Sequence, residues 1–177
     1  MLAYLFVLLA VAVRFMPHPW MFTPVAASLL FFGARRSRGQ FWVPLVLMAA
    51  SDVVLTKVVY AYPFSWDHYV TWVWYGAILW LGTNLRENTK PLRVIVAALA
   101  SSVSFFVVSN FATWAAWDDL YPKTLSGLMT AYAAGVPFFR QALEGDLLFT
   151  VAMFSTPVVL HALGRALSKT GEGAAAA

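Results

Sequence analysis

The chain has 177 residues, of which 61% are apolar and 11% are charged, and its mean hydropathy is +0.71. Soluble domains are about half apolar and about a quarter charged, so this composition excludes a soluble fold and predicts an integral membrane protein. The net charge of +4 comes from basic residues in short loops rather than along one face, which argues against a nucleic-acid partner. Without cysteine, the chain can form neither disulfides nor a thiolate site.

Apolar runs predict an all-α integral membrane protein, a six-helix transmembrane bundle that occupies residues 1–170 as a single unit. The predicted helices cover residues 2–15, 24–34, 41–60, 69–85, 92–117 and 146–168. The short polar and alanine-rich tail, 171–177, has no core to join and is expected to be disordered.

A long connection, residues 118–145, is predicted before the last helix. It contains an amphipathic stretch from Leu125 to Leu143, which Gly135 and Pro137 are expected to interrupt. Asp146 precedes an apolar run, so it is predicted to cap the N-terminus of the last helix.

The segment between the first two helices is rich in proline and aromatic residues. Three prolines fall within eight residues, from Pro17 to Pro24, and they make this connection stiff and non-helical. Because it carries almost no charge, we expect a plug that lies against the bundle at the outer face and forms part of a ligand site. The candidate ligand contacts in this plug are His18, Trp20, Phe22 and Thr23. A backbone hydrogen bond is the alternative role of His18, and a protein-built metal site is not predicted.

Basic residues predict the orientation in the membrane. Of the 12 lysines and arginines, most lie on the side that six crossings would give to both termini. The positive-inside rule therefore predicts a multi-pass protein of the cytoplasmic (inner) membrane with both termini cytoplasmic and the plug outside. Trp72 and Trp74 are interpreted as part of an aromatic belt at the membrane interface.

Asp52 lies midway through the third predicted helix, where an ionised carboxylate is costly unless it is paired or hydrated. Asp52 is predicted to have one of two roles. It contacts a ligand, a proton or an ion, or it forms a hydrogen bond between helices. If it forms that hydrogen bond, its partner would be Arg14, Thr56 or Asn110.

Further candidates lie in the second half of the chain. Asn110 and Trp114 are near the outer end of the fifth helix, where they would face a pocket. Tyr121 and Tyr132 would close over that pocket, and Asp146 is a further candidate ligand contact. The sequence contains no nucleophile–base pair, phosphate loop or paired-carboxylate motif, so neither an enzyme nor a cofactor is predicted.

The run PHPWMFTPVAASLLFFGA, residues 17–34, resembles the signature PHPxNFTPxxAxxLFxGA of a family of uncharacterised bacterial membrane proteins. Further similar runs are VPLVLMAASD, SNFATW, YPKTLSGL, AYAAGVPFF and GDLLFT. The chain departs from the signature at Trp20 and Met21, where the family usually has Pro-Asn, so a side-chain amide contact is absent there.

That family in turn resembles the substrate-binding S components of energy-coupling-factor vitamin transporters. The resemblance implies an outward-facing pocket, capped by loops, and a transmembrane coupling protein with ATPases as partner. S components usually dock to that partner through an Ala-xxx-Ala pair on the first helix, which Ala3, Ala10 and Ala12 do not reproduce.

The sequence therefore predicts a protein that binds a small molecule, a vitamin-like solute, at the outer face of the membrane and takes part in its uptake. The alternative is a non-transporting accessory or structural subunit of a larger membrane protein complex. Small-residue helix faces and abundant tryptophan fit this alternative equally well. In either case the lipid bilayer is a partner.

Overall fold

The computed structural model describes residues 1–17 and 21–175, with side chains described as far as residue 168. In these ranges the chain forms six α-helices and no strand. The helices are α1 (Leu2–Arg14), α2 (Val25–Arg35), α3 (Trp42–Val54), α4 (Asp67–Thr83), α5 (Pro91–Ala116) and α6 (Leu125–Ala175). A 3-10 turn, Arg38–Gln40, precedes α3, and a π-helical turn, Leu55–Val59, extends it.

Helix α2 is the centre of the bundle. Every residue from Val25 to Ala34 is buried, and the helix packs against α1, α4, α5 and α6. A helix without charged side chains before its last residue can be surrounded by apolar neighbours on all sides. Its 11 residues reach only about 16 Å, about half of a bilayer's apolar thickness, so α2 lies inside the bundle as a short buried element.

Two glycines allow α2 and α4 to cross at backbone contact. A Cβ atom added at Gly33 would lie 2.1 Å from the carbonyl oxygen of Leu79, and one added at Gly82 would lie 2.4 Å from that of Leu30. Only glycine fits such a crossing, because any side chain would push the two helices apart.

Helix α6 differs from the prediction. It begins at Leu125 and continues through Gly135, Pro137 and Asp146, so the predicted long connection at 118–145 and the predicted N-cap at Asp146 are both wrong. The actual cap is Thr124, whose hydroxyl accepts a 3.1 Å hydrogen bond from the Gly127 amide. A proline removes one backbone hydrogen bond, but ending a helix among apolar groups would leave several polar groups unpaired.

In the described part of the chain, three helical stretches are long and apolar enough to cross a membrane. They are Arg38–Val59, Pro91–Ala116 and Leu125–Ser168, with α1 and α2 as shorter apolar helices. Large apolar side chains on these stretches are exposed, for example Val46, Val103 and Leu148. An exposed apolar surface of this kind is that of a membrane protein, since lipid rather than water covers it.

Arginines gather at one end of the bundle. The Arg86 Nε atom donates a 3.0 Å hydrogen bond to the Gly33 carbonyl, and its guanidinium also donates to the Arg36 carbonyl. The Arg38 guanidinium lies 3.9 Å from the centre of the Trp80 ring. The two Arg86 hydrogen bonds satisfy carbonyl groups at the C-terminus of α2, where a helix favours positive charge.

Candidate functional site

A cavity of about 600 Å³ lies towards the other end of the bundle. The last residue of α1, the end of α3 with its π-helical turn, and the start of α2 line it, and α4, α5 and α6 complete its walls. Small-molecule sites in proteins typically have volumes of about 300–1,000 Å³, so this cavity has the size of a ligand site.

Asp52 of α3 lines this cavity and is held by side chains of two other helices, α1 and α4. It forms an ion pair with Arg14 of α1, and its oxygens accept hydrogen bonds from the Trp72 indole at 2.9 Å and the Tyr75 hydroxyl at 3.3 Å. Arg14 also donates a 2.6 Å hydrogen bond to Ser51. Of the three predicted partners of Asp52, the structure therefore selects Arg14, and Asp52 also lines the cavity.

Asp146 is the second acid of the cavity lining. It lies in the middle of α6, only 7% of its surface is exposed, and it accepts a 2.6 Å hydrogen bond from the Ser102 hydroxyl on α5. Ser102 thus holds a buried carboxylate in place.

His68 connects the cavity wall to the ends of two helices. Its Nε2 atom lies 3.0 Å from the Thr56 hydroxyl, and its Nδ1 atom lies 3.1 Å from Asp67. Asp67 also accepts a 3.3 Å hydrogen bond from the Trp117 indole. This chain of contacts joins the π-helical turn, the start of α4 and the residue that follows α5, and it keeps that end of the bundle together.

The predicted plug contributes to the cavity. Thr23 lines it, together with Pro17 and Met21. The Phe22 ring instead packs against Phe149 of α6, with 5.4 Å between ring centres. His18 and Trp20 lie outside the described residues, so their ligand contacts stay predictions.

Four further candidates lie along or beside the contact between α5 and α6, outside the cavity lining: Asn110, Trp114, Tyr121 and Tyr132. The Asn110 amide donates to a carbonyl one turn earlier in α5, at 2.8 Å, and faces the backbone of Gly135. Trp114 donates to the Pro122 carbonyl at 3.0 Å. Asp52 and Asn110 therefore do not share one hollow, although the sequence placed both beside it.

Two tryptophans differ from their interpretation as a membrane belt. The Trp72 indole donates to Asp52, and Trp74 is 7% exposed, donates a 3.0 Å hydrogen bond to Ser104 and lines the cavity. The buried acid Asp52 needs donors, and Trp72 and Tyr75 lie one helical turn apart on the face of α4 that meets it. This spacing in the sequence could have indicated both residues as partners of Asp52.

Comparisons with known proteins give a family and nothing beyond it. A family model described as a family of unknown function (DUF6580) matches residues 1–167. The search of curated proteins and the search of solved structures each gave no match. These findings agree with an uncharacterised family, and they show no resemblance to the S components of vitamin transporters.

Proposed function

This chain belongs to DUF6580, a family of unknown function, and we propose that it binds a small molecule, a vitamin-like solute, for uptake across the membrane. The observation that carries this proposal is the cavity of about 600 Å³, which contains both an ion pair and a separate buried carboxylate. A concave cavity with a few polar groups among aromatic and apolar walls is typical of a small-molecule site.

The cavity is proposed to open to the outer face of the cytoplasmic membrane, with six crossings and both termini inside. The positions of the arginines support this orientation. Arg36, Arg38 and Arg86 meet at the end of the bundle away from the cavity, as the positive-inside rule expects of a cytoplasmic end.

We further propose that uptake follows an S-component-like mechanism. Its partners are a transmembrane coupling protein and the ATPases of that protein. This mechanism is supported by two connections that border the cavity, one between α1 and α2 and one between the π-helical turn and α4. Met21 in the first has φ 61° and Ala61 in the second has φ 53°, and Met21 and Tyr62 line the cavity. Both connections therefore border the cavity, as loops that cover a binding pocket would.

The test compares two tryptophan substitutions in α6. Ala142 lines the cavity, so Ala142→Trp should fill it, whereas Ala133 is exposed in the same helix and Ala133→Trp is the matched control. Each protein is purified from native membranes, its folding is checked by gel filtration and thermal unfolding, and its bound small molecules are identified by mass spectrometry.

We expect a stoichiometric small molecule in the wild-type protein and in Ala133→Trp, and its loss from folded Ala142→Trp. An empty wild-type cavity, or equal retention by both variants, would contradict solute binding. Recovery of an ordinary membrane lipid alone would also contradict uptake of a solute.

The accessory-subunit alternative rests on a different part of the molecule. In α6, every side chain from 158 to 168 is exposed, and this end includes Leu160, Leu163 and Leu167. Such a helix end fits a larger membrane complex. Co-purification of one large partner at fixed stoichiometry, lost on replacing these leucines by alanine, would favour it over uptake.

A further inference from the structure

The two acids of the cavity differ in their partners. Asp52 is paired with Arg14 and accepts two further hydrogen bonds. Asp146 accepts a hydrogen bond from the neutral Ser102 hydroxyl, and within the part of the chain that the structure describes it forms no ion pair. Among the described residues, the cavity thus contains one carboxylate whose charge is matched by a partner, Asp52, and one whose charge is not, Asp146.

The net charge of the described lining follows from these residues. In a formal count that leaves histidine out, Arg14 contributes +1 and the carboxylates of Asp52 and Asp146 contribute −1 each, so the formal charge of the described lining is −1. A buried charge is costly unless a partner of opposite sign compensates it. A monocation in the cavity supplies that partner, whereas an anion would approach Asp146 and find Arg14 already bonded to Asp52.

We infer that the solute is an organic cation whose protonated amino group pairs with Asp146. This inference rests on the proposed solute-binding function and adds the chemical class of the solute. The pairing places the ammonium group beside α6, and it leaves the rest of the solute against the opposite walls of the cavity.

Those walls are suited to an organic cation. Of the described residues, six with aromatic side chains line the cavity: Tyr60, Tyr62, His68, Trp74, Tyr75 and Phe105. Aromatic faces attract cations and also pack against the apolar body of a ligand. Among the described residues, no three His, Cys, Asp or Glu side chains form a metal-ligand cluster, so the donors present favour an amine over a metal ion.

The test uses three probes that share a phenyl ring and differ in charge: 2-phenylethylammonium, 2-phenylethanol and 3-phenylpropionate. Their affinities are measured by isothermal titration calorimetry for the full chain in detergent without aminophospholipid. The variant is Asp146→Asn, which keeps an acceptor for Ser102, and the matched control is Glu144→Gln. Glu144 is an exposed acid two positions earlier in α6, paired with Arg140.

We expect the wild-type protein and Glu144→Gln to bind the cation about tenfold more tightly than the alcohol, since a charge-assisted hydrogen bond is at stake. Asp146→Asn should bind the cation no better than the alcohol. Absent binding of the cation, equal or tighter binding of the anion, or an unchanged preference in Asp146→Asn would overturn the inference.

Two further results separate this inference from the proposed function. If the molecule that co-purifies is neutral or anionic and is lost from Ala142→Trp, solute binding stands and the cationic class is wrong. Competition by phosphatidylethanolamine vesicles, but not by phosphatidylglycerol vesicles, would assign the cation to a lipid headgroup. That result would support the pairing with Asp146 and contradict uptake.

Discussion

Arg14, the last residue of α1, forms an ion pair with Asp52 of α3 across 38 positions of sequence, and both residues line the same cavity. The pair joins the ends of two helices at the rim of the proposed site. Removing only Arg14 and removing both charges should therefore lower the stability of the protein by different amounts.

We predict that Arg14→Met lowers the free energy of unfolding by about 3–5 kcal/mol, because it leaves Asp52 buried without its counter-charge. The double variant Arg14→Met/Asp52→Leu should recover part of this loss, although the Trp72 indole then has no acceptor. Thermal unfolding in detergent, followed by tryptophan fluorescence, measures both. An Arg14→Met variant with the unfolding temperature of the wild-type protein would show that the pair contributes nothing.

The glycine crossing of α2 and α4 gives a second prediction. Gly33→Ala should lower stability by about 1–3 kcal/mol or more, because its methyl group overlaps the Leu79 carbonyl. Gly76 in α4 is the control, since a Cβ added there meets nothing within 4 Å. Gly76→Ala should raise stability by up to about 1 kcal/mol through helix propensity. Opposite signs are expected in the same thermal assay, and equal effects would contradict the close crossing.

Ala61 has φ 53°, a left-handed conformation that costs a non-glycine residue about 1 kcal/mol. Ala61→Gly should therefore raise the free energy of unfolding and with it the unfolding temperature. This gain is smaller by about a few tenths of a kcal/mol, because glycine has greater freedom in the unfolded chain. The control is Ala133→Gly in α6, where glycine should lower stability. A decrease for both variants would mean that Ala61 is not strained.

Tyr132 lies in the contact between α5 and α6, outside the cavity lining. Its hydroxyl donates a 3.0 Å hydrogen bond to the Val107 carbonyl, so Tyr132→Phe should lower stability by about 1 kcal/mol. Retention of the co-purified molecule should be unchanged in Tyr132→Phe, whereas Ala142→Trp should abolish it. Mass spectrometry of the purified variants decides this, and loss of the molecule from Tyr132→Phe would extend the site to the α5–α6 contact.

Several helix bounds were predicted closely from the sequence. Helix α5 was expected at 92–117 and is Pro91–Ala116, and α2 was expected at 24–34 and is Val25–Arg35. These limits depend on local features, namely apolar runs that end at prolines or charged residues. The continuity of α6 was missed because Gly135 and Pro137 are local breaking signals, which the surrounding apolar environment overrides.

The residues that line the cavity were predicted in part, and their contacts with a ligand stay predictions. Thr23 was selected as part of the Pro-rich plug, Asp146 as a residue that precedes an apolar run, and Asp52 as a polar residue within an apolar run; all three line the cavity. Asn110 had the same signal, but α5 is rotated so that its amide faces Gly135 of α6. A helix pattern states which residues share a face, and it does not state which neighbour that face meets.

The amino-acid sequence alone determined that this is an α-helical membrane protein, because its apolar content leaves no soluble alternative. It also identified the costly polar residues, since an acid in an apolar run is costly wherever the helix lies. Only the tertiary structure decided that Asp52 pairs with Arg14 and that Asp146 lacks a charged partner among the described residues. Such partners are set by the order, crossing and rotation of helices, and these depend on contacts between residues far apart in the chain.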